Sequence, residues 1–152
     1  PLNLAILPEA VVALGTVPLT DYGLPGTPEL SAQLAPFIPN HDALLMANHG
    51  VVCYADSLDK AFFRLETVEH LARIALVAEI LGGPRLLPRH EVRRLMDARS
   101  RYGIHFAPGA EPEAPLAAED LMLRPQSDDP VTIGKMELLE MIDDLLKTKG
   151  LV

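Results

Sequence analysis

Residues 43–54 decide the fold, and they read ALLMANHGVVCY. Two runs of β-forming residues flank Asn48, His49 and Gly50, so this stretch predicts two strands joined by a short turn. Glycine lets another part of the chain or a ligand approach the backbone closely. A histidine held in place here, at the end of a sheet, is therefore well placed to be a metal ligand. The alternative is a buried histidine that is hydrogen-bonded in the core, and the tripeptide alone leaves both interpretations open.

Helices are predicted on both sides of this hairpin in the sequence. Residues 27–29 (TPE) combine a capping hydroxyl, a first-turn proline and a first-turn acid, which indicates a short helix that ends at one of the following prolines. Apolar residues recur at spacings of three or four over residues 57–82, and a further helix is predicted over residues 88–103. Residues 1–20 read as strands and turns.

Composition excludes several classes of protein. The chain has 152 residues, of which 49% are hydrophobic, so it fits one ordinary domain with a substantial core. Its net charge of −8 argues against a nucleic-acid partner. No apolar run approaches the ~20 residues that a membrane-spanning helix needs, so no membrane partner is expected. Cys53 is the only cysteine, which predicts a reducing, cytoplasmic compartment.

The sequence changes character after residue 106. We predict a domain over residues 1–106, a linker rich in proline and alanine over 107–130, and an amphipathic tail helix over 131–152. The apolar residues of the tail fall on one helical stripe: Leu138, Leu139, Ile142, Leu145 and Leu146.

An ordered set of short motifs resembles the class II aldolase/adducin family. The motifs are residues 7–18 (LPEAVVALGTVP), 22–23 (YG), 25–30 (PGTPEL), 47–50 (ANHG) and 101–103 (RYG). The resemblance covers roughly residues 5–106. It implies an α/β fold in which helices flank a central, mainly antiparallel sheet, and this chain would hold the C-terminal part of that domain.

The resemblance also implies a metal site that contains His49. In the family, the histidine before this glycine is one of three histidine ligands of a divalent metal, usually Zn²⁺. The other two ligands form a His-x-His pair upstream, and a catalytic Glu and the phosphate-binding residues lie upstream as well. None of these is in this sequence, and His41, His70, His90 and His105 match no ligand position. The chain is therefore expected to be the second half of an enzyme.

The chemistry that the resemblance implies is a retro-aldol cleavage. A ketose 1-phosphate such as fuculose or rhamnulose 1-phosphate would yield dihydroxyacetone phosphate and lactaldehyde, with zinc as the Lewis acid. Tyr102 is the best match to the family's tyrosine, which handles the proton at the aldehyde oxygen. Because that tyrosine acts at a subunit interface, a homotetramer is implied.

Several alternatives stay open at this point. Leu4 stands near a second family tyrosine and cannot transfer a proton, which leaves the substrate open. Related reactions are 4-epimerisation of a pentulose phosphate, for which His90 is a candidate, and dehydration of methylthioribulose phosphate. A non-catalytic, adducin-like interaction module is the alternative of a different class.

The tail has two interpretations. A linker followed by a short amphipathic helix resembles the encapsulation peptides of bacterial microcompartment cargo enzymes, which predicts a shell or cargo partner for residues 131–152 and a location inside a microcompartment. The other interpretation is that the helix packs on its own domain or on a neighbouring subunit.

Overall fold

The computed structural model describes residues 1–104, 110 and 112–122. Mixed helices and strands confirm the predicted α/β fold class. In chain order the elements are α1 (Pro8–Ala13), β1 (Leu19–Thr20), α2 (Pro28–Leu34), β2 (Ala43–Met46), β3 (Gly50–Cys53), α3 (Leu58–Ile80), α4 (Arg89–Ala98), a 3₁₀ helix (Arg99–Tyr102) and α5 (Ala118–Met122).

The sheet of the described residues has three strands in the order β1-β2-β3. Strands β2 and β3 form the predicted antiparallel hairpin, in which Ala43 pairs with Cys53 and Met46 pairs with Gly50. Strand β1 runs parallel to β2 over two residues. Asn48, with φ of 57°, turns the chain between β2 and β3, a conformation that asparagine tolerates better than most residues.

The expectation of strands and turns over residues 1–20 was wrong for α1. Pro8 occupies the first turn of this helix and Glu9 follows it, which favours the helix over the strand that the valines suggested. One face of the helix then buries Ala10, Val11 and Leu14. Leu2 does pair with Val17 as an isolated bridge, so the segment is only partly extended.

Helix α3 packs across the sheet and confirms the predicted long helix. Its N-cap is Ser57, whose hydroxyl accepts a hydrogen bond from the Lys60 backbone N–H. Only Val68 and Leu71 of its 23 residues are buried. They join a core with α1 and the sheet that includes Leu14, Val17 and Ala43.

Helix α4 continues directly into the 3₁₀ helix that carries Tyr102. Val92 of α4 is buried in a second core with Ala5, Val11 and Ala117. Gly103, with φ of 73°, ends the 3₁₀ helix in the left-handed conformation that glycine adopts at little cost.

Part of the predicted linker packs against the domain. Within 107–130, Leu116 forms a bridge with Leu4, and Ala117 is buried at 1% exposure. Asp120 accepts a hydrogen bond from the Ala117 N–H and pairs with Arg89 at the start of α4. These contacts differ from an extended linker, because small apolar residues here fill the second core. The domain boundaries stay predictions, and the tail helix over 131–152 lies outside the described residues.

Candidate functional site

His49 lies in the turn of the β2–β3 hairpin. The turn is fixed by a hydrogen bond of 3.1 Å from the His49 N–H to the Met46 carbonyl oxygen. The residue is exposed, as are Asn48 and Gly50 beside it. The core alternative for His49 therefore does not hold, and its imidazole is accessible at the end of a short, hydrogen-bonded hairpin.

The other described histidines differ from His49 in position or engagement. His41 is buried, and its Nδ1 lies 3.1 Å from the Phe37 carbonyl oxygen while its Nε2 lies 3.2 Å from the Thr16 hydroxyl. Since a carbonyl oxygen only accepts, Nδ1 carries the proton and both ring nitrogens are engaged. His70 and His90 are exposed on α3 and α4, and His105 lies outside the described residues.

Tyr102 ends the 3₁₀ helix and is 71% exposed. It borders a cavity of about 530 Å³ between α1, the start of α3 and the ends of β2 and β3. Phe63, Lys60 and Arg64 of α3 also line this cavity. A hydroxyl at such a mouth is accessible to a ligand or to another protein surface.

A polar cluster that sequence reasoning missed lies in the same cavity. Arg64 Nη2 pairs with Asp42 Oδ2 at 2.8 Å, and each side chain is only about a fifth exposed. Arg64 Nη1 donates to the Tyr54 carbonyl oxygen, and the Tyr54 hydroxyl, which has a single proton to donate, lies within hydrogen-bonding reach of the carbonyl oxygens of His41 and Ile38. The cluster connects α3 to the open end of the hairpin, which is the end where β2 begins and β3 ends.

Burial and the charges of this cluster change the pKa values of several side chains in and beside it. Burial, followed by the Asp42 carboxylate, raises the pKa of the Tyr54 hydroxyl to about 12. Burial lowers the pKa of the nearby Arg99 guanidinium to about 10, with the Asp42 carboxylate opposing the change. Tyr54 is therefore a neutral hydrogen-bond donor at physiological pH, which suits a structural role.

His49 and Tyr102 lie at opposite ends of the hairpin. Asp42 and Tyr54, which share the Tyr102 cavity, adjoin the Ala43–Cys53 pair, whereas His49 lies beyond the Met46–Gly50 pair. These two pairs are three residues apart along each strand, which corresponds to a distance of about 10 Å. The fold of one copy therefore does not bring these two predicted site residues together.

The described residues contain one predicted metal ligand and not a complete metal site. No group of three or more His, Cys, Asp or Glu side chains in that part of the chain could hold a metal ion. A catalytic zinc site generally uses three protein ligands. The accessible imidazole of His49 fits the role of a single ligand, and further ligands would have to come from outside the described residues.

An apolar groove of about 540 Å³ lies beside the hairpin turn. Leu45, Met46 and Val51 of the sheet form one wall, and Val68 and Ala72 of α3 form the other. The two ends of the hairpin thus differ in chemistry, because the Tyr102 cavity is charged and this groove is mostly apolar.

Comparison with known proteins places this hairpin in a family. Residues 2–76 match the model of the class II aldolase and adducin N-terminal domain, and that range includes both strands and His49. The chain belongs to the class II aldolase/adducin family. The predicted resemblance is confirmed at this level.

Three similar proteins illustrate the range of the family. The 3-oxo-tetronate 4-phosphate decarboxylase of Escherichia coli K12 is 34% identical over 70 residues, which are 46% of this chain and 33% of that protein. The 5-deoxy-D-ribulose 1-phosphate aldolase of Bacillus thuringiensis serovar kurstaki is 32% identical over 78 residues, which are 51% and 37%. The solved structure of an L-fuculose 1-phosphate aldolase superposes with a TM-score of 0.58 at 29% identity, covering 67% of this chain and 47% of that chain.

The matched region is less than half of each of these relatives. The chain spans about a third of the length of the two enzymes matched by sequence.

None of the helices in residues 1–104 and 112–122 is long and apolar enough to cross a membrane.

Proposed function

We propose that this chain is part of a lyase that cleaves a carbon–carbon bond in a phosphorylated sugar derivative. The observation that carries the proposal is the family match over residues 2–76, within which His49 presents an accessible imidazole at the hairpin turn. The first candidate reaction is retro-aldol cleavage of a ketose 1-phosphate, such as fuculose or rhamnulose 1-phosphate, to dihydroxyacetone phosphate and lactaldehyde.

His49 acts in this proposal as one ligand of a divalent metal, with zinc as the first candidate. The hydrogen bond across the turn holds the His49 backbone in place, which lowers the entropic cost of binding. The remaining ligands come from residues outside those described or from another chain.

Tyr102 transfers the proton at the aldehyde oxygen. In the cleavage direction the bond between two carbinol carbons breaks, the hydroxyl of the leaving fragment loses its proton to become an aldehyde, and the remaining fragment keeps the electron pair as an enediolate that must be protonated. Tyr102 takes the first of these protons. Because His49 and Tyr102 of one copy lie at opposite ends of the hairpin, the tyrosine acts at the site of another copy in a homo-oligomer, for which we propose a tetramer.

Decarboxylation is the second candidate reaction, and the 34% identity to a tetronate-phosphate decarboxylase favours it. In that reaction the broken bond releases carbon dioxide and also leaves an enediolate, but no aldehyde hydroxyl needs a proton partner. The Tyr102 hydroxyl is then dispensable. Epimerisation, dehydration and an adducin-like binding role remain the predicted alternatives.

Metal content and product analysis test the proposal. Natively expressed protein is assayed for bound zinc, then supplied with a deoxy-ketose 1-phosphate or a 3-oxo acid phosphate. We expect His49→Ala to lose metal and activity together, while His70→Ala, an exposed histidine on α3, keeps both. Normal zinc content in His49→Ala contradicts the ligand assignment, and a protein that forms neither product contradicts the lyase.

The proposals for the tail and the location stay predictions. Fusing residues 131–152 to a reporter protein tests both: the segment is expected to carry the reporter into a microcompartment by binding a shell or cargo partner. The proposed cytoplasmic location rests on the prediction of a reducing compartment, which was made from the single cysteine, Cys53.

A further inference from the structure

Arg99 is a buried charge that the proposed reaction does not use. It is the first residue of the 3₁₀ helix that also carries Tyr102, and only 3% of it is exposed. Burial lowers the pKa of its guanidinium to about 10, so the group is charged at physiological pH. Because burying a charge adds little net stability, the arrangement that Arg99 imposes on its surroundings is its more informative property.

Gly15 provides the space that the Arg99 guanidinium occupies. Gly15 lies just after α1 with φ of 71°, and a β-carbon at this position would be 2.8 Å from Arg99 Nη1. Any larger residue there would therefore push the guanidinium aside. Met96 Sδ lies 3.8 Å from the same Nη1, and the Asp42 carboxylate attracts the guanidinium from the open end of the hairpin. Arg99 thus connects the 3₁₀ helix to both α1 and the hairpin.

Tyr102 lies one turn beyond Arg99 in the 3₁₀ helix. Such a helix has about three residues per turn, so side chains three positions apart project from the same side. The Tyr102 ring is 71% exposed and has little packing of its own to hold it. A rotation of the helix about its axis would move both side chains together. The buried Arg99 side chain opposes that rotation, and the direction of the tyrosine follows from it.

We propose that Arg99, packed beside Gly15, is a positioning residue for Tyr102. The buried guanidinium holds the 3₁₀ helix against α1 and the hairpin, and the tyrosine hydroxyl is presented in a fixed direction at the mouth of its cavity. The proposal rests on the proposed function, in which Tyr102 transfers a proton at the aldehyde oxygen. A misplacement of about 1 Å can lower a reaction rate about a hundredfold, so a residue that contacts no substrate affects the rate through Tyr102.

The first experiment follows the tyrosine ring without any catalysis. The natively expressed protein is labelled with 3-fluorotyrosine, and the ¹⁹F resonance of Tyr102 is identified by its absence in Tyr102→Phe. Arg99→Met keeps a long, unbranched side chain and removes the guanidinium. Val92→Ala is the matched control, because Val92 is buried at 2% exposure in α4 and its truncation destabilises the protein without removing the guanidinium.

We expect the Tyr102 resonance of Arg99→Met to move toward its position in the urea-unfolded protein, and that of Val92→Ala to stay unchanged. Circular dichroism confirms that each variant is folded. An unchanged resonance in folded Arg99→Met overturns the proposal, as does an equal change in Val92→Ala. If Arg99→Met does not fold, Gly15→Ala takes its place, because the added β-carbon displaces the guanidinium.

A cycle of single and double variants tests the connection to the proposed reaction. In aldol cleavage we expect Arg99→Met to lower kcat about a hundredfold, while KM and metal content stay near those of the unmodified protein. Added to Tyr102→Phe, the same substitution should cause no further loss, because the hydroxyl that Arg99 positions is already gone. Equal losses of kcat with and without the Tyr102 hydroxyl overturn the proposal.

The two experiments separate this proposal from the proposed function. If the resonance moves as expected but no aldol cleavage is found, the proposed function fails and the positioning of Tyr102 by Arg99 stands. If aldol cleavage is found and the resonance of Arg99→Met does not move, the positioning role fails alone.

Discussion

At the scale of single residues, the Asp42–Arg64 pair joins the open end of the hairpin to α3. Neither residue belongs to a motif that the sequence makes visible, because an isolated aspartate and arginine become partners only when the helix crosses the hairpin end. His49 and Tyr102, by contrast, could be named from family motifs. Both are exposed, and their functional roles stay predictions. The Asp42–Arg64 pair, which lines the same cavity as Tyr102, could be found only from the structure.

We expect Arg64→Ala to destabilise the fold. The substitution leaves the Asp42 carboxylate without its partner and removes the donor to the Tyr54 carbonyl oxygen. The loss is about 2 kcal/mol of unfolding free energy, less than for a fully buried pair because both side chains retain some solvent contact. Urea unfolding measures it.

Arg73→Ala on the same helix provides the control. Arg73 pairs with Glu69 at 2.8 Å, but both side chains are more than half exposed. Its removal therefore costs less than about 0.5 kcal/mol. Equal losses of unfolding free energy in Arg64→Ala and Arg73→Ala would contradict a stabilising role of the Asp42–Arg64 pair beyond that of an exposed ion pair.

At the scale of elements, most helices and the hairpin were predictable from local signals. Proline followed by glutamate marks the start of α2, and the same signature at Pro8 marks α1. The adjacent valines at 11 and 12 led to the wrong expectation of a strand there. Burial of one helical face outweighed their β preference, which is a tertiary effect that a local pattern does not reveal.

The packing of residues 116–122 was not predictable from composition. Alanine and proline are common in linkers, and nothing local shows that Ala117 fills a space beside Ala5 and Val92. Backbone hydrogen bonds complete the contact: the Ala5 N–H donates to Leu116, and the Ala118 N–H donates to Leu87.

We expect Asp120→Asn to loosen this segment in a pH-dependent way. The hydrogen bond from the Ala117 N–H, with help from Arg89, holds the pKa of Asp120 below its usual 3.8. A lowered folded-state pKa stabilises the fold above the unfolded pKa, and this stabilisation is lost as pH falls through the folded value. Hydrogen exchange at Leu116 and Ala118 should therefore be slower in the unmodified protein above pH 3.8.

The difference in hydrogen exchange between Asp120→Asn and the unmodified protein should vanish once the pH falls below the pKa of Asp120 in the folded protein. Asp56→Asn is the control, because Asp56 pairs with Lys60 at the start of α3 and also has a lowered pKa. That substitution should leave exchange at Leu116 and Ala118 unchanged. Equal protection in Asp120→Asn and the unmodified protein above pH 3.8 would contradict the assigned contact.

At the scale of the whole molecule, the fold separates the two residues that the proposed chemistry needs. The hairpin places His49 at one end, and α4 with its 3₁₀ extension places Tyr102 at the other. Family motifs give the identity of both residues, but their separation depends on the three-dimensional arrangement of distant segments. That separation makes assembly a requirement of the proposed aldol cleavage.

The most direct measurement is complementation between two inactive variants of the natively expressed protein. His49→Ala and Tyr102→Phe are each expected to be inactive in aldol cleavage, and they are dissociated, mixed in equal amounts and reassembled. If sites form between copies, about a quarter of the sites pair an intact His49 with an intact neighbouring Tyr102, and activity returns to that level. A reassembled mixture without activity, from variants that each fold and assemble, would contradict a site shared between copies.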